Sequence, residues 1–328
     1  MLTPKQNLLE TIRGGNPERF VRQYEAFKFF YPPFSRRNPR PQYGGEPVVN
    51  AWGVTIAWPL GTPGAFPVHT DDKIVIKDIT RWREFVHAPE VRSTDEEWAP
   101  ILDAVAAVDR DAYYVTFGIA PGVFEQCHYL GGIQNILMDL YLEPDAMHEL
   151  IDYITDWELG LAEEICSHAH PDAILHHDDW GSQISTFMSP DMFSEFILPA
   201  AKKIYGYYHD NGVELIVHHS DSYAATLVPD MIEAGIDIWQ GAMSTNDLPS
   251  LIREYGGRIS FMGGVDCSKV DFEGSTRENI RQVVSEICRD CGKLYFIPCT
   301  TQGGPASIYP GVYDTVNEEI DFATKSLF

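Results

Sequence analysis

Positive charge is scarce in this chain: 24 Lys and Arg stand against 48 Asp and Glu in 328 residues, a net charge of −24. Nucleic acid and anionic membrane surfaces both demand a basic footprint, so neither is an expected partner. No run of ~18 apolar residues occurs, which excludes a membrane-spanning helix. The opening MLTPKQNLLETIRGG lacks the apolar stretch of a signal peptide, and the expected location is the cytoplasm. There is no G-x-G-x-x-G and no P-loop, so nothing points to a nucleotide fold. Cysteine is limited to six residues, Cys127, Cys166, Cys267, Cys288, Cys291 and Cys299. A chain of this length builds its core without disulfide staples, and the thiols are expected to be free. Cys288-Arg-Asp-Cys291 has no second pair to complete a metal site, and Cys166-Ser-His168-Ala-His170 falls where a helix runs out before Pro171. Both read as structural.

What is present suits a large α/β protein. The chain is 44% hydrophobic and 12% aromatic, and from residue 110 onward short apolar runs alternate with amphipathic stretches. Strands are predicted at Tyr113–Phe117, Ala173–Leu175, Leu215–Val217, Ile236–Trp239, Ile259–Met262 and Leu294–Ile297, with an earlier one around Val48–Ile56. Helices are predicted at 143–169, 190–211, 224–234, 246–255, 275–292 and 311–326, several with start signals such as Ser189-Pro190 and Ser275-Thr276. Strands alternating with helices imply a parallel sheet. Seven strand candidates suggest a (β/α)8 TIM barrel over residues 45–328 with one strand unseen, an open doubly wound sheet being the alternative. Residues 1–44 stand apart as an aromatic and basic extension. Residues 1–42 carry net charge +5, which leaves −29 for the rest, and RFVRQYEAFKFFYPPFSRRNPRP packs seven aromatics and five arginines together. This arm is expected to form a lid over the mouth or to dock a partner, the alternatives being the barrel bottom or a homodimer contact.

The strand ends carry the chemistry. Leu175 is followed by His176-His177-Asp178-Asp179-Trp180-Gly181-Ser182-Gln183, and Val217 by His218-His219-Ser220-Asp221. Met262 leads into Gly263-Gly264-Val265-Asp266, and Ile297 into Pro298-Cys299-Thr300-Thr301-Gln302-Gly303-Gly304. One polar strand end is an ordinary loop reaching water. Four of them, on the single face where a parallel barrel gathers its strand ends, read as a site. Histidine, thiolate and carboxylate are zinc's ligand types, and a catalytic zinc keeps one position open. His218 and Cys299 are the leading ligand pair. His219 should point to the opposite face from His218 if the strand runs through both. Asp178, Asp179, Asp221 and Asp266 are each candidates for a further ligand or a group orienting one.

The ordered series Asp178-Asp179-Trp-Gly-Ser-Gln183, Ser189-Pro190-Asp-Met-Phe, the His218 strand, Gly263-Gly264-Val-Asp266 and Pro298-Cys299 resembles the uroporphyrinogen decarboxylase superfamily, more narrowly its corrinoid-linked methyltransferase branch. The resemblance covers roughly residues 45–326. The arginine-rich N-terminal signature that grips a porphyrinogen's carboxylates is not apparent. The resemblance implies a barrel with a zinc site held by His-x-Cys after one strand and a distant Cys after a later one. Here His218 and Cys299 match, while Ser220 stands where the first cysteine would be, and Asp221 is expected to complete the metal set. Less thiolate charge makes a stronger Lewis acid, suited to the poor leaving group of a methyl ether. The implied activity is an anaerobic O-demethylase component moving a methyl group from a methoxylated aromatic to the Co(I) corrinoid (cobalamin) of a partner protein. In that scheme Asp179, Asp266 and His219 take catalytic roles, and Gln183, Gly263 and Gly264 lie against the cofactor. The corrinoid anchor D-x-H-x-x-G is absent from the chain, so the corrinoid protein is expected to be separate. Methyl transfer from a methylcorrinoid to a thiol, decarboxylation, and a non-catalytic carrier role stay open at this point.

Overall fold

Short runs of β-branched and aromatic residues alternating with amphipathic helices bury strands on both faces, which favours parallel pairing with helices outside. In the computed structural model, which describes residues 1–62, 64–301 and 309–328, ten strands occur among the described residues. They are β1 (Phe27–Phe30), β2 (Val48–Val49), β3 (Thr55–Ala57), β4 (Phe66–Pro67), β5 (Tyr114–Ile119), β6 (Ala173–His177), β7 (Leu215–His219), β8 (Ile238–Ala242), β9 (Ser260–Val265) and β10 (Phe296–Thr300). Seven form one parallel sheet in the order β1-β5-β6-β7-β8-β9-β10, and β2-β3-β4 form a small antiparallel sheet.

The large sheet is curled. Phe27, Tyr114, Ala173, Leu215, Ile238, Met262 and Ile297, one from each of its seven strands, meet in a single buried cluster. A flat sheet would hold its edge strands far apart, since neighbouring strands lie ~4.8 Å from one another. Curling places these side chains inside and leaves the opposite face to the helices, the architecture of a (β/α) barrel. Each of the larger aliphatic side chains buried there contributes about 1.5–3 kcal/mol.

Two segments differ from the sequence reading. Val48–Ile56, expected as a barrel strand, lies in the antiparallel sheet. The strand that went unseen is Phe27-Lys-Phe-Phe30, which pairs with β5 in register Phe27↔Tyr114 to Phe30↔Phe117. Four residues ending just before Pro32-Pro33 give too short a pattern to separate from an aromatic loop. Residues 4–30, inside the segment expected to be an extension, therefore supply the first strand and help close the barrel's bottom. The helix Pro4–Ile12, with Thr3 in a capping box, sends Leu8 into the inner cluster. It is tied to the entry sides of β5 and β10 by Lys5 N–H to Ala112 O and Tyr295 N–H to Thr11 O.

Helices otherwise fall close to expectation. Pro144–Ala169, Leu248–Tyr255, Arg277–Cys291 and Val312–Leu327 lie where the periodicity puts them. The stretch 190–211 is two helices, Pro190–Phe196 and Leu198–Asp210, because Pro199 has no N–H to continue the first. No helix among the described residues is long and apolar enough to cross a membrane.

Candidate metal centre

The strands run further into their polar ends than their apolar runs suggest. β6 includes His176 and His177, β7 includes His218 and His219, and the two pairs lie side by side in register. Alternation along a strand then decides which histidine faces where. His177 and His219 turn into the barrel mouth and stack, ring centroids 4.2 Å apart. His176 and His218 turn back into the layer between sheet and helices, where His218 is wholly buried and stacked on Trp180 at 3.8 Å.

His177, Asp179 and His219 bring one ligand atom each within 4.8 Å of one another, forming a two-histidine, one-carboxylate cluster. Both imidazoles are oriented from behind. His177 Nδ1 lies 2.7 Å from Glu125 Oε2, and His219 Nδ1 bonds Gln240 Oε1. His219 Nε2 is left facing Asp179 Oδ1 at 3.8 Å. Holding Nδ1 so that Nε2 points at the ion is how histidine ligands are normally fixed. Burial and the neighbouring His177 hold the His219 ring down at about 4, keeping it neutral and able to donate a lone pair. Around this pair the carboxyls crowd. Burial and the Asp179 charge push Glu125 well above the usual range, and burial, Asp179 and Glu125 push Asp221 up to about 8. The crowded carboxyls repel one another less once a cation sits among them.

The donor set fits a divalent metal. Two imidazoles and a carboxylate with an open position match catalytic zinc, and the same set also suits non-haem iron. All six cysteines are buried and outside any disulfide, and none joins a three-ligand cluster among the described residues.

The expected site residues separate accordingly. Asp179 and His219 are in the cluster, and Asp221 adjoins it, its backbone N–H donating to Asp179 Oδ1 at 3.0 Å. His218, expected as a ligand, faces the helices. Cys299 packs in the inner barrel core, where burial pushes its thiol well up. These two leading ligands are thus on opposite faces of the sheet and do not meet. Ser220 shares the outward face of His218, its hydroxyl taking the Trp180 N–H at 3.0 Å and lying 2.6 Å from Ser222 Oγ. The inward residues two apart are His219 and Asp221, a one-residue shift from the reading based on His218 and Ser220. Asp266 caps the short helix Cys267–Val270 and bonds Ser244, Ser268 and Lys269. Gln183 is exposed, with its carbonyl held by Thr245. Gly263 and Gly264 have packing reasons for being glycine: a Cβ at Gly263 would lie 2.4 Å from the Ala242 carbonyl oxygen, and one at Gly264 would lie 2.9 Å from Ile287. Gln302-Gly303-Gly304 lies outside the described residues.

Asp178 supports the site from below. Its carboxylate accepts the Phe124 and Glu125 N–H groups at 3.1 and 2.7 Å and the Trp180 indole N–H at 3.0 Å, anchoring the helix Val123–Gly131 that carries Glu125. Sequence reasoning passed over His177, Glu125 and Gln240. A signal for His177 exists: β6 and β7 both end in His-His-x-Asp, as His176-His177-Asp178-Asp179 and His218-His219-Ser220-Asp221.

Residues 48–297 match the family model described as Uroporphyrinogen decarboxylase (URO-D). The chain belongs to the URO-D family. No curated protein matches it. Among solved structures this URO-D chain is similar to a methyltransferase from Methanosarcina mazei, with 15% identity, a TM-score of 0.65, and coverage of 98% of this chain and 99% of that one. A B12-independent methionine synthase from Shewanella sp. W3-18-1 matches at 15% identity and a TM-score of 0.48, over 74% of this chain and 70% of the other. At 15% identity the likeness to the Methanosarcina mazei methyltransferase is one of fold.

Proposed function

We infer that the chain is a zinc-dependent methyltransferase that moves a methyl group from a methoxylated aromatic to the Co(I) corrinoid of a partner protein. The observation that carries the reading is the His177–Asp179–His219 cluster at the exit ends of β6 and β7, a metal donor set without thiolate. The fold shared with a methyltransferase supports the reaction class. Zinc held by His177, Asp179 and His219 would supply positive charge to stabilise the oxygen anion that departs from the methyl carbon. In this reading the partner's Co(I) corrinoid would be the methyl acceptor, and the carbon–oxygen bonding pair would leave with the phenolate. Asp221, whose backbone N–H donates to Asp179 Oδ1, holds that ligand in place. Glu125 and Gln240 keep the two imidazoles aimed at the ion.

The test incubates the zinc-loaded protein with photoreduced cob(I)alamin and a methyl phenyl ether, following the loss of Co(I) absorbance and the release of phenol. Methylcobalamin and phenol should form in equal amounts, and His219→Ala should abolish both. Release of carbon dioxide from a porphyrinogen by the protein, with no methyl transfer from any ether, would overturn the reading.

A further inference from the structure

Behind the metal cluster lies a second, fully buried set of polar groups that the chemistry above does not use. Glu158 Oε2, on the helix Pro144–Ala169, is 2.9 Å from His176 Nε2. The Tyr205 hydroxyl, on the helix Leu198–Asp210, is 2.9 Å from His176 Nδ1 and also 2.9 Å from His218 Nδ1. Trp180 closes over the His218 ring, and His218 Nε2 has no hydrogen-bond partner among the described residues. Each of the four residues Glu158, His176, Tyr205 and His218 is buried.

A phenol carries a single hydrogen, so Tyr205 can donate to only one of the two Nδ1 atoms and must accept from the other. The two rings are therefore held in complementary hydrogen-bonding states, and neither can turn without breaking the bridge. Glu158 fixes the far nitrogen of His176 in addition. Such a chain costs most to disturb in a dry interior, where every group it frees is left unpaired.

His176 and His218 are register partners on β6 and β7, and the next register pair is His177 and His219. Successive residues of a strand share one backbone and point to opposite faces. A bridge across the outer pair consequently fixes the separation of the inner pair. We propose that the chain Glu158–His176–Tyr205–His218 is a clamp on the outer face of the sheet that sets the spacing of the metal-binding imidazoles His177 and His219. Tyr205 and Glu158 are positioning residues in this scheme. The clamp rests on the metal-site reading above but not on the identity of the methyl donor.

The experiment loads the full chain with Co(II) and records its visible absorption, which reports ligand geometry, together with retention of the ion against a competing chelator. Tyr205→Phe keeps the ring and removes the hydroxyl from both bonds. A changed Co(II) spectrum with retention weakened 10- to 100-fold, the range found when a group supporting a ligand is lost, is expected in a variant whose far-UV circular dichroism is that of the wild type. A wild-type spectrum and wild-type retention in Tyr205→Phe overturn the clamp and leave the metal site standing. Absence of Co(II) binding by the wild type overturns the metal site and the clamp with it. Should Tyr205→Phe fail to fold, Glu158→Gln, which replaces the carboxyl at the end of the chain by an amide at constant volume, decides: a shift in the same direction supports the clamp, and wild-type values overturn it.

Discussion

Removing the Asp178 carboxylate tests how the mouth of the barrel is built. Asp178 is buried, and three donors converge on it: the N–H groups of Phe124 and Glu125 and the indole N–H of Trp180. Asp178→Ala would orphan all three. An unpaired buried donor costs about 1–3 kcal/mol, and partial relaxation brings the expected total to about 3–5 kcal/mol. Asp178→Asn keeps an acceptor oxygen for part of the set, for an expected loss of about 1–2 kcal/mol. Urea unfolding is the assay. With a slope of about 3 kcal/mol per M, the alanine variant's midpoint should fall by about 1 M or more at unchanged slope. The helix Val123–Gly131 also carries Glu125, so His177 should lose its orienting partner and the alanine variant should retain metal less well than the asparagine one. A midpoint within about 0.2 M of wild type for Asp178→Ala would refute the reasoning.

Other outcomes follow from the same geometry. Cys299→Ala should keep its metal, since Cys299 packs in the inner core, whereas His177→Ala should lose it; elemental analysis of the two purified variants separates them. In Gly122→Ala the new Cβ would lie 2.5 Å from Asp178 Cβ and 2.6 Å from His176 Cε1, so overpacking of about 1–3 kcal/mol is expected in a thermal melt. Glu319 is buried between Arg281 and Arg277, whose hydrogen bonds and charge hold its carboxyl below the usual range. A carboxyl depressed in the folded state stabilises the fold above its unfolded value of about 4.3, and that contribution is lost as pH falls through the folded value. Glu319→Gln should therefore be less stable than wild type at pH 7, with the difference shrinking below about pH 4, as denaturant midpoints across pH would show.

Most of the barrel was legible because its strands are short apolar runs between amphipathic helices, a pattern that survives without knowledge of contacts. Phe27–Phe30 was not, since a four-residue aromatic strand beside two prolines carries no period. The site was legible as a place before it was legible as residues. Polar strand ends at Leu175 and Val217 pointed to the face where His177, Asp179 and His219 meet, yet choosing between His218 and His219 required knowing that the strand continues through both. Alternation then assigns the inner residue, and a slip of one position moves every ligand to the wrong side. Glu125 and Gln240 come from a helix and a strand far along the chain, and only the folded arrangement brings them to His177 and His219. The repeated His-His-x-Asp at the ends of two adjacent strands was the one local clue to His177.

The central claim is that His177, Asp179 and His219 hold a divalent metal. Its most direct test is the metal content of the purified wild type beside His219→Ala and Cys299→Ala, measured by elemental mass spectrometry after zinc loading and dialysis. About one zinc per chain in the wild type and in Cys299→Ala, with none in His219→Ala, is the predicted result. Zinc retained by His219→Ala and lost from Cys299→Ala, or no zinc in any of the three, would contradict it.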